Sequence, residues 1–267
     1  MVRFLGLLKK YGVLKPLRDI ALAVAALAAL MAVVMWVGNP YTDDAQTTAG
    51  AASSWAPPAS PDAGTTTVAP LPPGFPSMEF PPPMVEAPEG QPQPVPTKFG
   101  LTYTVPGTEG WRPSNMAVMG WSDDDGFIAG YGAVSDYGYR YCPEFKSSRL
   151  AISGATGRNG VDIDTAARDA VGEVRRIFSN GSKIDIRGPF TFQVSGQPAV
   201  RYTAAVTDIP QDRSCDPTRA GFDIVATPAY ATAEVMVFMI EHHVGLQGSL
   251  SDKDIDAIVM SLEKTEE

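Results

Sequence analysis

The chain has 267 residues, with 21 Lys or Arg against 30 Asp or Glu, giving a net charge of −9. That balance argues against a nucleic acid as partner and against tight docking of the acidic part on anionic lipid. Two cysteines and two adjacent histidines leave little for a metal centre or for acid–base catalysis, so no metal site, no cofactor and no catalytic set is expected.

Residues 1–19 are basic, with Arg3, Lys9, Lys10, Lys15 and Arg18 against a single acid, Asp19. Phe4, Leu7, Leu8 and Leu14 would let this segment lie along the cytoplasmic lipid surface. A charge cluster that only sets topology accounts for it equally well. The next stretch, Ile20–Val37, reads IALAVAALAALMAVVMWV and carries no charge. At about 1.5 Å per residue, such a helix covers roughly 27 Å of a hydrocarbon core about 30 Å thick. Residues 20–38 are therefore predicted as a single-pass signal-anchor helix, with Trp36 at the outer interface. The run exceeds the apolar core of a cleaved signal peptide, and its end, MWVGNP, is too bulky for a cleavage site. No Lys or Arg occurs between Asp19 and Thr97. The excess of positive charge on one side places the N-terminus in the cytoplasm and everything after the span outside the cell membrane.

Residues 39–97 read as a disordered linker. Pro40–Pro96 holds 15 of the chain's 24 prolines, and its few apolar residues cannot offset the entropy of ordering. Extended as polyproline II it would reach roughly 180 Å, as a coil nearer 40 Å. PLPPGFP and PQPVP could be ligands for a groove on another protein, but a plain spacer explains them as well.

Residues 98–267 form the predicted extracytoplasmic domain, with 16 bases and 23 acids. Strands are predicted at Leu101–Pro106, Asn115–Trp121, Phe127–Ala133, Arg149–Ser153, Lys183–Ile186, Phe190–Val194, Val200–Thr207, Phe222–Ala226 and Ala233–His243. Asp123-Asp124-Asp125-Gly126 is a hairpin turn, and it lacks the spacing of a calcium loop. Further turns fall at Gly188-Pro189 and Gly196-Gln197. Ile163–Phe178 has helical apolar spacing, with Asp162 or Asp164 as its cap and Asn180-Gly181 at its end. Ser251 with Asp254 makes a capping box for a last helix that buries Ile255, Ile258, Val259 and Leu262. Val235–Ile240 is apolar without alternation, as in a strand covered on both faces. These elements give an α+β domain, an antiparallel sheet flanked by helices.

Cys142 and Cys215 are expected to form a disulfide, the simplest reading of a pair in an exported domain. They would join a tyrosine-rich segment to the polar loop Asp208–Ala220. Tyr137, Tyr139 and Tyr141 are candidate ligand contacts, since aromatic clusters can stack on sugar rings, although strand packing uses the same residues. Arg149–Gly160, RLAISGATGRNG, is similar to the glycine fingerprint of short-chain dehydrogenase-like nucleotide binders at Gly154, Gly157 and Gly160, with Arg187 placed for a 2′-phosphate. The helix pattern begins only at Ile163, beyond the glycines, so a Gly-rich loop leading into a capped helix is the simpler reading.

The opening YTVPGTEGW, the hairpin VSGQPAVRY and the terminal strand and helix together resemble the Mog1/PsbP-like α/β/α sandwich over about Gly100–Lys264. More closely, the chain resembles uncharacterised anchored or lipidated envelope proteins of actinobacteria that carry such domains behind a Pro-rich stalk. It lacks their lipobox cysteine and would use the transmembrane span instead. The resemblance implies an architecture and carries over no catalytic residues. The function expected is a non-enzymatic binding or scaffolding domain that engages an envelope protein or wall component. The alternative is an extracytoplasmic enzyme or sugar-binding domain acting on wall carbohydrate.

Overall fold

The computed structural model describes residues 70–72, 74–178 and 181–266. The basic segment 1–19, the predicted span 20–38 and linker residues 39–69 lie outside the described residues. Among the described residues no helix is long and apolar enough to cross a membrane.

The described residues start with a segment running through Pro76–Pro82 and enter β1 (Gln93–Pro96), which pairs antiparallel with β2 (Leu101–Val105). The turn between them is closed by Thr97, whose N–H and hydroxyl both donate to the Leu101 carbonyl at 2.9 and 2.7 Å. The sequence placed residues 93–96 in a disordered linker; they are instead a strand, with Val95 and Pro96 buried. Proline density hid it, because the two prolines of QPVP mask an alternation that only their partner strand makes visible.

The main sheet runs β3 (Trp111–Pro113), β5 (Gly126–Tyr137), β6 (Ala151–Arg158), β10 (Val235–His243), β9 (Ala220–Pro228), β8 (Gln197–Thr207), β7 (Lys183–Val194), and β4 (Val118–Asp123) also pairs with β5. Every pairing is antiparallel. The hairpins come from local turn chemistry. Asp123 accepts the N–H of Asp125 at 3.0 Å, and Gly126 follows at φ 116°. The segment predicted as two strands around Gly188-Pro189 is one strand, β7, with a register irregularity between Arg187 and Phe190. The second short sheet is β1-β2-β11, with β11 at Glu263–Lys264.

Strand β10 sits between β6 and β9 and explains its own sequence. Val235, Val237 and Met239 enter one core, and Met236, Phe238 and Ile240 enter the other. A strand buried on both faces has no polar side to alternate with. The first core is covered by α1 (Ile163–Gly172) and α2 (Val174–Ile177), through Ala166, Ala167, Ala170, Val171 and Val174. The single helix predicted over this stretch is divided at Glu173. Its start is as the sequence indicates: Asp162 accepts from the Thr165 N–H at 2.8 Å. The second face is covered by α3 (Asp252–Met260) and the short sheet, through Ile255, Ile258, Val259, Leu101 and Tyr103. The Ser251–Asp254 capping box is formed.

Charge ties α3 to the sheet. Arg201 on β8 donates to Asp223 on β9 (Nε to Oδ1, 2.8 Å) and to Asp256 on α3 (2.7 Å). His242 lies 3.6 Å from the other Asp223 oxygen.

Candidate functional site

The side of the sheet that carries α3 is not covered everywhere. Beyond the short sheet, at the β4–β5–β6 end, lies an open groove of about 830 Å³. Its floor is made of the smallest residues: Gly120 on β4, Gly130 and Gly132 on β5, Ala155 and Gly157 on β6. Phe127 lies over that floor, its ring 2.7 Å from where a Cβ on Gly130 would sit. Yet Phe127 is 72% exposed, and Phe80, Met116 and Val118 on the same groove are 61%, 60% and 81% exposed. Four large apolar side chains held in water around one concavity are unusual where no partner covers them.

One wall comes from the Pro-rich segment. Met78 N–H donates to Thr232 Oγ1 at 2.9 Å, and Thr232 N–H donates to the Pro76 carbonyl at 2.8 Å. Further along, Asn115 Nδ2 donates to the Pro82 carbonyl at 2.6 Å. The strap is thus pinned at the β9–β10 turn and again at the β3–β4 loop, with Phe80 between.

A second cleft, about 550 Å³, opens on the other face of β4. The disulfide Cys142–Cys215 is formed and holds its walls. Tyr141, next to Cys142, donates its hydroxyl to the Cys215 carbonyl at 2.9 Å and lies 3.4 Å from His243 Nδ1. Burial, followed by the nearby Asp216 and Glu241 carboxylates, raises the Tyr141 pKa above its ordinary value.

The three candidate tyrosines part company. Tyr141 lines this cleft. Tyr137 packs on Trp111, ring centroids 5.2 Å apart. Tyr139 is on the surface beside Arg140 and Arg112, which lower its pKa. Strand alternation and the turn at Gly138 (φ 63°) separate residues that the sequence shows as neighbours.

The glycine fingerprint is also resolved. Arg149–Ser153 was predicted as a strand ending before the glycines, but β6 runs through them to Arg158. Gly154 and Gly157 are therefore sheet residues facing packed neighbours, and no helix starts at them. Arg187 pairs with Asp185 at 2.9 Å.

Sequence reasoning missed the groove. Its trace was present in GFIAGYGAV, where Gly130 and Gly132 alternate along a strand otherwise suited to large residues.

The chain matches the family described as "Domain of unknown function (DUF8017)" over residues 84–267, and it belongs to that family. The match begins inside the Pro-rich stretch, before β1. Among solved structures it is similar to cyanobacterial PsbP (CyanoP) from Synechocystis sp. PCC 6803, at 10% identity and a TM-score of 0.38, covering 66% of this chain and 94% of that one. A comparison with curated proteins finds no match.

Proposed function

We propose that the protein is a membrane-anchored, non-enzymatic binding module of the cell envelope. Residues 20–38 cross the membrane with the N-terminus in the cytoplasm, and the domain stands outside on its Pro-rich stalk. The apolar run and the one-sided charge support this layout, as does a disulfide, which persists in oxidising compartments. The resemblance to anchored envelope proteins of actinobacteria agrees with it. The observation that carries the binding role is the glycine-floored groove with its four exposed apolar residues. Its occupant is an extended, apolar segment of an envelope protein. Over Gly132 the floor is open, with nothing nearer than 4.0 Å to where a Cβ would sit, so another backbone can approach there, and no described strand pairs with the outer side of β4, leaving main-chain groups for such a segment.

The test is photo-crosslinking from position 118 in the full-length protein in its own membrane. Gly132 accepts a Cβ without backbone clash, so Gly132→Leu fills the groove and spares the sheet. Capture of one envelope protein through one segment, lost in Gly132→Leu, is the expected result. Capture that ignores Gly132→Leu overturns the reading.

A further inference from the structure

The cleft behind β4 is chemically unlike the groove. Trp121, Tyr141 and Phe145 supply aromatic surface, and Phe145 is 42% exposed. Between them stand Glu241, His243, Arg149, Arg213 and Asp216. The two guanidinium groups each meet a carboxylate, and Glu241 meets an imidazole. Arg149 meets Asp136 at 3.1 Å, Arg213 meets Asp216 at 3.5 Å, and His243 Nε2 lies 3.4 Å from Glu241 Oε1.

We propose that this cleft is a second ligand site, for a neutral sugar ring. A ligand with net charge would meet its own sign wherever it met the opposite one. A sugar hydroxyl both donates and accepts, which suits guanidinium donors beside carboxylate acceptors. The C–H face of the ring suits Trp121 and the side of Phe145 away from Arg213, whose guanidinium lies 4.6 Å from that ring's centroid, and a volume of about 550 Å³ lies within the range of small-molecule sites. The site is also built in trans along the chain. Tyr141 and Phe145 come from the loop that carries Cys142, and Arg213 and Asp216 from the loop that carries Cys215. Glu241 and His243 come from the end of β10. The disulfide is then the clasp that keeps the two halves of the site together.

Calorimetric titration of the full-length protein, held in a detergent without a sugar headgroup, tests this. The probes are cellobiose and the N-acetylglucosamine dimer, with glucuronic acid and glucosamine as charged counterparts. The expected result is binding of a neutral probe ahead of the charged ones. Phe145→Ala and Glu241→Gln should each weaken it about tenfold, the loss of one stacking or hydrogen-bonding contact. Far-ultraviolet circular dichroism checks that both variants fold. Gly132→Leu, which fills the groove, should bind the probe as wild type does, so the two sites fail separately. Binding of no neutral probe, preference for a charged one, or unchanged affinity in both variants overturns the proposal.

Discussion

Gly157 lies beneath Phe99: a Cβ at position 157 would sit 2.7 Å from the Phe99 ring Cε1 and 2.5 Å from the Ala233 Cβ. The contact joins β6 to the β1–β2 turn and to the β9–β10 turn at once. Gly157→Ala must push one of them away, and overpacking of this kind costs about 1–3 kcal/mol. Urea unfolding should show that loss. Gly132→Ala, where no atom crowds the added methyl, should fall within about 0.5 kcal/mol of wild type.

The Arg201 site separates a buried charge from an exposed one. Asp223 is 5% exposed, and Arg201→Met removes the partner that offsets its desolvation. Breaking a buried pair from one side costs about 3–5 kcal/mol. Asp256 on the same guanidinium is mostly in water, with a side-chain exposure of 58%, so Asp256→Ala should cost about 1 kcal/mol or less. Thermal unfolding of the two variants tests the ordering.

Much of the fold is legible from short patterns. Asp162 before an apolar helix, Ser251 with Asp254, and the unbroken run Val235–Ile240 each state a local condition that the structure meets. What the sequence hides depends on pairing across distance. The strand at Gln93–Pro96 exists because β2 is there to receive it, and the glycines of β6 look like a turn until Tyr131 is seen against Gly154 and Phe99 and Ala233 against Gly157. The helix break at Glu173 follows Gly172, a signal outweighed in the sequence by the apolar spacing that runs on to Phe178. The candidate site was less visible still. Of three neighbouring tyrosines only Tyr141 lines a cleft, and the groove is marked by side chains that are absent.

Glu173 gives a pH signature. Burial raises its pKa despite Arg158 at 3.4 Å. With the folded value above the unfolded one, the folded state holds its proton longer. Stability is then undiminished below the unfolded carboxyl range and falls as pH rises toward the folded pKa. Glu173→Gln should match wild type at acid pH and exceed it at neutral pH, measured by denaturant midpoints at both.

Cys142 and Cys215 close a loop across 73 positions. Replacing both with Ala should lower stability by about 2–4 kcal/mol. It should also let the Cys215 loop, with Asp216, move off Tyr141 and relieve the burial that raises its pKa, so the tyrosine should titrate closer to its ordinary value when followed by ultraviolet absorbance.

The prolines do not stop where the fold starts, and several fall on its borders. Among the described edge strands β1 carries Pro94 and Pro96, β3 carries Pro113 and β7 carries Pro189. A proline has no N–H to offer, so each of these edges is a poor template for a stray strand. Strand β4, Val-Met-Gly-Trp-Ser-Asp, carries none. Copies of this domain crowded together would thus resist sticking along β1, β3 and β7 and stay receptive along β4, since β11, the other edge without a proline, spans two residues.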